Sequence, residues 1–311
     1  MDNQTSHLVV SPVPHIRCDL TTQRVMGNVI IAMLPALVAS TIIFGLRSLL
    51  VVAVTTASCV LCEYLWCRLR KIPSTVSDLS AVVTGLLLAF NLPPTVPLYL
   101  PVIGAVVAII VAKELFGGIG CNFANPAIVG RITLAVSFPA RMTSYVYPRL
   151  LADCDALTAA TPLGVSGEQL PLLDLFLGTH GGVIGETCAL ALLLGLIWLL
   201  ATRTIEITIP LAYVGTVAVF SAVCGENVLR QILSGGLLLG AIFMATDYTT
   251  SPFFRRGKIV FGVGLGLITC LIRFWGNMNE GVSYAILLMN LMVPYINQRF
   301  RRTPMGGGVK K

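Results

Sequence analysis

The sequence predicts an all-α integral membrane protein with about ten transmembrane helices, and three observations support this prediction. Of the 311 residues, 56 % are apolar and only 11 % are charged, whereas a soluble domain has about 25 % charged residues. The apolar residues form about ten long runs, most of them long enough to cross a bilayer. The basic residues lie between these runs and not on one face. The composition therefore excludes a soluble enzyme, a disordered chain and a nucleic-acid-binding protein.

The ten apolar runs are the predicted spans. Two of them are short: prolines end the third run at Pro93 and Pro94, and Pro126 and Pro139 bracket the fifth. Such interrupted segments are tolerated in a membrane only where protein or a cavity covers their free backbone groups. The predicted spans are Gly27–Leu46, Ser48–Cys67, Asp78–Leu92, Leu98–Lys113, Asn125–Phe138, Val183–Thr202, Ile207–Cys224, Leu229–Thr246, Lys258–Trp275 and Val282–Gln298.

The basic residues predict the orientation of these spans. With the N-terminus inside, about fifteen of the 21 Lys and Arg residues fall on the inner side and six on the outer side. An even number of spans returns the C-terminus to the inner side. We therefore expect an N-terminal tail, residues 1–26, and a basic C-terminal tail, residues 299–311, both in the cytoplasm.

A long outer loop, residues 139–182, divides the spans into two halves, residues 27–138 and 183–298. Similar Gly-Leu-rich segments begin at Gly85 and Gly236, and each is followed by a Pro-containing break. Because each half has five spans, a second copy would be inverted relative to the first. Inverted repeats with broken helices are typical of proteins that bind a ligand near the membrane midplane. The alternative is a chance similarity between Leu-Gly-rich spans.

The outer loop contains an acid and two hydroxyls at regular spacing, Asp155, Thr158 and Thr161. Small neighbours such as Ala160 would let a bulky group approach Thr161, and Pro162 restricts the Thr161 backbone to extended geometry. A hydroxyl beside a carboxylate fits covalent attachment of a phosphate-bearing group. A helix cap in an ordinary loop is the alternative.

Four segments of the chain resemble blocks of one protein family. Asp155–Thr161 resembles the flavinylation signature Asp-x-x-(Ser/Thr)-Gly-Ala-Thr: Asp155, Thr158, Ala160 and Thr161 match, and Ala159 replaces Gly. The family contains the D subunits of Rnf complexes and the B subunits of the sodium-pumping NADH:quinone reductase. The latter usually have a longer N-terminal extension, which favours the Rnf type. The other matching blocks are Lys113–Gly120 with Asn125–Ala127, Ala245–Pro252 with Tyr248 in place of Pro, and Glu280–Val282 with Leu287–Leu291.

The resemblance implies FMN bound to Thr161 through a phosphoester on the outer side of a prokaryotic cytoplasmic membrane. It also implies electron transfer between ferredoxin and NAD, coupled to Na+ or H+ movement. No complete active site is expected on this chain alone. Its implied partners are other membrane and peripheral subunits of the complex (A, B, C, E and G), a flavin transferase and membrane lipid.

The resemblance also implies a non-covalent riboflavin between spans, and Gly117, Gly118, Asn122 and Asn125 could line such a site. Glycines permit close approach, and asparagine amides can hydrogen-bond to the edge of a flavin ring. The alternative for these small residues is tight helix packing.

Several ionisable residues lie within or near the spans, and such residues are functional candidates. Glu114 and Asp247 lie beside backbone breaks at similar places in the two halves, so they are the first candidates for ion coupling. Pairing at the membrane interface, for instance by Lys113 or Lys258 with a nearby acid, is the alternative. The other acids of this kind are Glu63, Asp78, Glu186 and Glu206.

Two further motifs favour structural roles. Cys59 and Cys62 form a CxxC, a spacing found in Fe–S and dithiol sites, but it lies in an apolar run without a second CxxC. We therefore interpret these cysteines as small residues of a membrane helix. Gly262 and Gly266 have GxxxG spacing, and no strand precedes them, so they indicate a helix-packing face.

Two other functions are also compatible with the sequence. A secondary transporter without its own redox cofactor would explain the broken helices and Asp247. A scaffold protein without chemistry would make the Asp155–Thr161 segment incidental. Neither alternative explains the spacing in that segment.

Overall fold

The computed structural model describes residues 21–146, 171–276 and 281–301, together with the backbone of residues 158–159. Within these parts the chain forms thirteen α-helices and one short antiparallel strand pair. The first six helices are α1 (Thr22–Phe44), α2 (Leu46–Arg70), α3 (Ser80–Phe90), α4 (Tyr99–Val106), α5 (Pro126–Ser137) and α6 (Pro139–Met142). The others are α7 (Leu172–Leu177), α8 (Ala189–Ala201), α9 (Thr208–Val223), α10 (Val228–Leu233), α11 (Leu237–Leu239), α12 (Arg255–Trp275) and α13 (Val282–Arg299).

Two helices continue as wider π turns, α4 through Val107–Val111 and α11 through Gly240–Met244. Short 3-10 turns occur at Val76–Asp78 and Glu114–Phe116. Helical segments that are long and apolar enough to cross a membrane are Thr22–Phe44, Leu46–Arg70, Tyr99–Phe116 and Arg255–Trp275. These four helices confirm the prediction of a helical membrane protein.

The structure differs from the predicted spans where the chain is apolar but not helical. The predicted span Val183–Thr202 begins as helix only at Ala189. Before α8, the Ile184 N–H donates to the Leu92 carbonyl at 3.0 Å, and the Gly185 N–H donates to the Phe90 carbonyl at 2.9 Å. These bonds satisfy carbonyls at the end of α3 that a helix terminus leaves free. The segment before α8 therefore closes the end of α3.

The predicted span Leu229–Thr246 is also divided. Helix α10 ends at Leu233, and α11 starts at Leu237 after the sequence Ser234-Gly235-Gly236. Gly235 has a φ of +66°, which glycine adopts without the steric penalty of a side chain. At the other end of the chain, α1 begins at Thr22, within the predicted tail of residues 1–26.

The helices pack around a large apolar core that includes Phe90, Leu88 and Phe261. Helix α1 packs against α8, and α5 packs against α13. Helix α2 packs against α3 and α4, while α9 packs against α12. Helix α4 is also in contact with α5, and α12 with α13.

The GxxxG glycines of α12 are at the contact with α9, which confirms the predicted packing face. A Cβ on Gly262 would lie 2.7 Å from the Ala212 Cβ, and one on Gly266 would lie 2.5 Å from the Thr216 Cβ. Both distances are shorter than van der Waals contact. The two glycines thus allow the backbones of α9 and α12 to approach closely.

Replacing Gly266 with Ala is expected to destabilise the chain by about 1–3 kcal/mol, the usual effect of overpacking a well-packed contact. Gly215, on α9, is a matched control, because a Cβ there meets no atom within 4 Å. Gly215→Ala should leave stability unchanged or raise it slightly, since alanine favours helix. Thermal unfolding of the two variants in detergent checks this; an equal effect of both would contradict the packing role of Gly266.

Candidate functional site

A cleft lies among the ends of α1, α3 and α5 and the segments that follow the two π turns. Its walls are mainly apolar, with side chains such as Met26, Leu87 and Phe243. Its polar lining residues are Ser80, Thr84, Lys113, Asn122, Asn125, Thr204, Thr246, Asp247, Tyr248 and Thr249. Mostly apolar walls with a few convergent polar groups are typical of cofactor sites.

Among the described residues that line this cleft, Lys113 is the one cation, and it is almost fully buried. Its ammonium lies 2.5 Å from Oε2 of the fully buried Glu63, on α2, and donates to the Ser80 hydroxyl at 2.7 Å. The Thr75 hydroxyl donates to the other Glu63 oxygen at 2.6 Å. Each buried charge therefore has both an opposite charge and hydrogen-bond partners, as burial of charges requires.

Glu114 belongs to the same cluster. Its Oε1 lies 3.7 Å from the Lys113 ammonium but accepts no hydrogen bond from the described residues. The cluster thus contains two carboxylates, those of Glu63 and Glu114, and the single ammonium of Lys113. The carboxylate groups beside Lys113 therefore outnumber the ammonium group that could pair with them.

The loop after Lys113 contains glycines that turn the backbone. Gly117 and Gly118 have φ values of +115° and +86°, a region that favours glycine. A Cβ on Gly118 would meet no atom within 4 Å, so this glycine is not explained by tight helix packing. Neither glycine lines the cleft, but the loop that they shape brings Asn122 to it.

Asn122 and Asn125 both face the cleft. The Asn122 Oδ1 is buried and has no hydrogen-bond partner among the described residues. Asn125 caps α5, because its Oδ1 accepts from the Ala127 N–H at 3.1 Å. A buried amide oxygen without a donor is unfavourable, so the Asn122 oxygen fits a site for a ligand that donates a hydrogen bond.

Asp247 follows the π turn of α11 and orders the next loop. Its carboxylate accepts from the Thr249 N–H at 3.2 Å and from the Thr249 and Thr250 hydroxyls at 3.0 and 3.2 Å. These three hydrogen bonds fix the position of the Asp247 carboxyl group. Asp247 therefore places a carboxylate, held by three donors, in the wall of the cleft.

Of the outer loop, residues 139–182, the structure describes residues 139–146, the backbone of residues 158–159 and residues 171–182. Strand β1 (Tyr145–Val146) pairs antiparallel with β2 (Thr158–Ala159), with Tyr145 opposite Ala159. This pairing joins the backbone of the flavinylation-like segment to the chain just after α6. Asp155, Ala160 and Thr161 lie outside the described residues.

The structure thus brings together several residues that the sequence singled out from separate blocks. Asn122, Asn125 and Asp247 share one cleft, and Glu114 lies beside its lysine. Sequence reasoning named Glu63 among the ionisable residues but did not place it here. One signal could have placed Glu63: a lone acid in an apolar run requires a buried cation. Lys113, at the end of another apolar run, is such a cation.

Both lysines that the sequence suggested as partners for acids form ion pairs. Lys113 pairs with Glu63 in the cleft. Lys258, near the start of α12, lies 2.8 Å from Glu206. The first pair is buried, whereas Glu206 of the second pair is exposed.

The fold and the cleft together define a polytopic helical membrane protein with a polar site inside the helical bundle. The model of the NQR2, RnfD, RnfE family matches residues 9–306. The chain belongs to this family.

Curated relatives match over nearly the whole chain. The D subunit of the Na+-translocating ferredoxin:NAD+ oxidoreductase complex of Acetobacterium woodii is 46 % identical, and the match covers 98 % of this chain and 96 % of the relative. The D subunit of the proton-translocating ferredoxin:NAD+ oxidoreductase complex of Clostridium ljungdahlii is 39 % identical, with 93 % of each chain covered. The D subunit of an ion-translocating oxidoreductase complex of Stutzerimonas stutzeri is 37 % identical, with 92 % of each covered.

Proposed function

We propose that this chain is a membrane subunit of a redox-driven ion pump that transfers electrons between ferredoxin and NAD. The observation that supports this most strongly is the 46 % identity, over almost the whole length of both chains, to one subunit of a Na+-translocating ferredoxin:NAD+ oxidoreductase complex. Its partners are the other subunits of such a complex, of the types A, B, C, E and G; the support is that the relatives are subunits of oxidoreductase complexes.

The transported ion stays open between Na+ and H+, since relatives of both kinds match the chain. Glu114 and Asp247 are proposed for ion coupling. Their support is the excess of carboxylate oxygen near Lys113 and the position of Asp247 beside a π turn. Intramembrane carboxylates commonly act in ion pathways.

We further propose that Thr161 binds FMN covalently, after modification by a flavin transferase. The support is the signature formed by Asp155, Thr158, Ala160 and Thr161, and the strand pairing that anchors Thr158–Ala159. A bound flavin supplies one- or two-electron chemistry, which suits exchange between Fe–S centres and two-electron carriers. The chain, made beside a flavin transferase and then denatured, should fluoresce and be heavier by one FMN less one water. An unmodified mass would contradict the proposal.

The cleft is proposed to hold a non-covalent riboflavin. The unpaired Oδ1 of Asn122 is an acceptor that could bind a flavin ring N–H, while the apolar walls would cover the ring faces. Asn125 has less capacity to bind a ligand, because its Oδ1 already accepts a hydrogen bond at the start of α5. In this proposal Gly117 and Gly118 shape the loop and do not touch the ligand.

The two halves are proposed to be inverted repeats with about ten spans in total. Three sets of contacts support this arrangement. In each half the second long helix packs against the fourth, α2 on α4 and α9 on α12, and the fourth packs against the fifth. The first helices of the halves, α1 and α8, meet, as do the fifth helices, α5 and α13. Contacts between equivalent helices are expected of two copies related by a pseudo-twofold axis.

The proposed orientation, with both termini cytoplasmic and Thr161 outside, can be tested with two exposed cysteines. Cys121 lies on the loop after Lys113, and Cys224 lies at the end of α9. The proposal puts them on opposite sides. In variants that keep only one cysteine, a membrane-impermeant maleimide should label Cys224 in intact cells and Cys121 only after permeabilisation. The buried Cys59 is the unreactive control; the reverse labelling pattern would overturn the orientation.

The alternative of a secondary transporter is favoured by the broken helices and by the position of Asp247 in the cleft wall. Substrate-dependent uptake by the purified, flavin-free chain in vesicles would support it.

A further inference from the structure

A groove lined by arginines lies where the start of α12 meets the end of α13. The residues that line this "arginine groove" are Phe254, Arg255, Arg256, Ile259, Arg299, Phe300 and Arg301. Its geometry depends on Gly257, because a Cβ there would lie 3.2 Å from the Ile296 Cγ2. The Phe253 N–H also donates to the Asn297 side chain at 3.1 Å, which ties the two helix ends together.

The charge of the groove is strongly one-sided. Four of its described lining residues are arginines and none is an acid. Glu206, on the loop before α9, lines an adjoining pocket together with Arg255, and its carboxylate pairs with Lys258 at 2.8 Å. Guanidinium groups bind phosphate oxygens in bidentate fashion, so the chemistry that matches this groove is a phosphate ester.

An apolar stripe leads from the groove along α12. Ile259, Val263, Leu267 and Leu271 follow one another at a spacing of four residues, and each is between 37 and 50 % exposed. Residues at this spacing lie on one side of a helix. From Ile259 to Leu271 the stripe is about 18 Å long at 1.5 Å per residue, which exceeds half of a hydrocarbon core of about 30 Å.

We propose that the arginine groove binds the phosphodiester headgroup of an anionic phospholipid, whose acyl chain lies along the stripe on α12. A soluble anion would contact only the arginines, and an acidic peptide would leave the apolar stripe without an apolar partner. A phospholipid satisfies both features at once. The groove lies at the end of the bundle that the positive-inside rule predicts to be cytoplasmic, and basic pockets between helices on that side bind such headgroups.

The test compares lipid binding by the purified full-length chain and two double variants. Arg255→Gln with Arg299→Gln removes two charges from the groove. Arg68→Gln with Arg70→Gln removes two exposed charges from the end of α2, at the same predicted side of the membrane, and is the matched control. Binding of phosphatidylglycerol, phosphatidylcholine, glycerol phosphate and inorganic phosphate is followed by native mass spectrometry and by thermal stabilisation in detergent.

Phosphatidylglycerol should bind and stabilise the chain, and the groove variant should bind it about 30-fold more weakly, which corresponds to about 2 kcal/mol for two arginines. The control variant should bind it as the wild type does, and phosphatidylcholine should have little effect.

Three results would overturn the proposal. Equal weakening in both double variants would mean unspecific attraction between lipid and basic residues. Equal stabilisation by glycerol phosphate or inorganic phosphate would mean that the groove takes a soluble anion. Loss of the bound lipid when the complete complex assembles would mean that the groove is a contact with an acidic partner protein.

Discussion

Replacement of Thr161 by Val is expected to abolish covalent flavin completely. Valine has nearly the shape of threonine but lacks the hydroxyl oxygen, so no phosphoester can form at this position. The variant, made beside the flavin transferase, should have its unmodified mass and no flavin fluorescence after denaturation. Intact-protein mass spectrometry and in-gel fluorescence measure both effects.

Two further variants separate the role of the hydroxyl from that of the loop. Thr161→Ser keeps a hydroxyl and should keep the flavin. Thr143→Val removes an exposed hydroxyl at the end of α6, near β1 but outside the signature, and should keep it as well. Covalent flavin that persists in the Thr161→Val variant would contradict the assignment of this residue as the attachment site. A complete complex that contains Thr161→Val and transfers electrons at the wild-type rate would favour the scaffold alternative.

Hydrophobic runs predicted the helical membrane fold because long apolar stretches have few other ways to satisfy their backbone in a bilayer. The same reasoning failed for residues 183–188 and 234–236, which lie within predicted spans but are not helical. In the first case, the amides of Ile184 and Gly185 pair with carbonyls at the end of α3. Composition does not distinguish such a segment from a helix, because its hydrogen bonds are made to residues about 90 positions away.

The sequence could predict the candidate site only where the residues of the site belong to short, recognisable segments of the chain. Asn122, Asn125 and Asp247 were singled out by their motifs, and the cleft contains all three. The Lys113–Glu63 pair joins residues 50 positions apart, and no local pattern indicates which acid a buried lysine will meet. Packing of α2 against α4 decides this contact. Thr161 remains a prediction from its motif, since it lies outside the described residues.

Replacement of Lys113 by Met is expected to destabilise the chain by about 3–5 kcal/mol, because it leaves the carboxylate of Glu63 buried without its cation. Both side chains are almost fully buried, at 2 % and 0 % exposure. Lys258→Met is the matched control: its partner Glu206 is 62 % exposed, and a surface pair of this kind contributes about 0–1 kcal/mol. Unfolding of the purified chain by denaturant in detergent measures both variants.

The double variant Lys113→Met with Glu63→Gln tests the cause of this loss. Glutamine removes the unpaired charge, and its amide oxygen can still accept the hydrogen bond from Thr75. Neutral replacement of a buried ion pair is often tolerated, so the double variant should recover most of the stability that Lys113→Met loses. If it recovers none, the loss comes from packing of the new side chain and not from an isolated charge. If Lys113→Met and Lys258→Met have equally small effects, water reaches the Lys113–Glu63 pair, and the cleft is open to solvent at its charged wall.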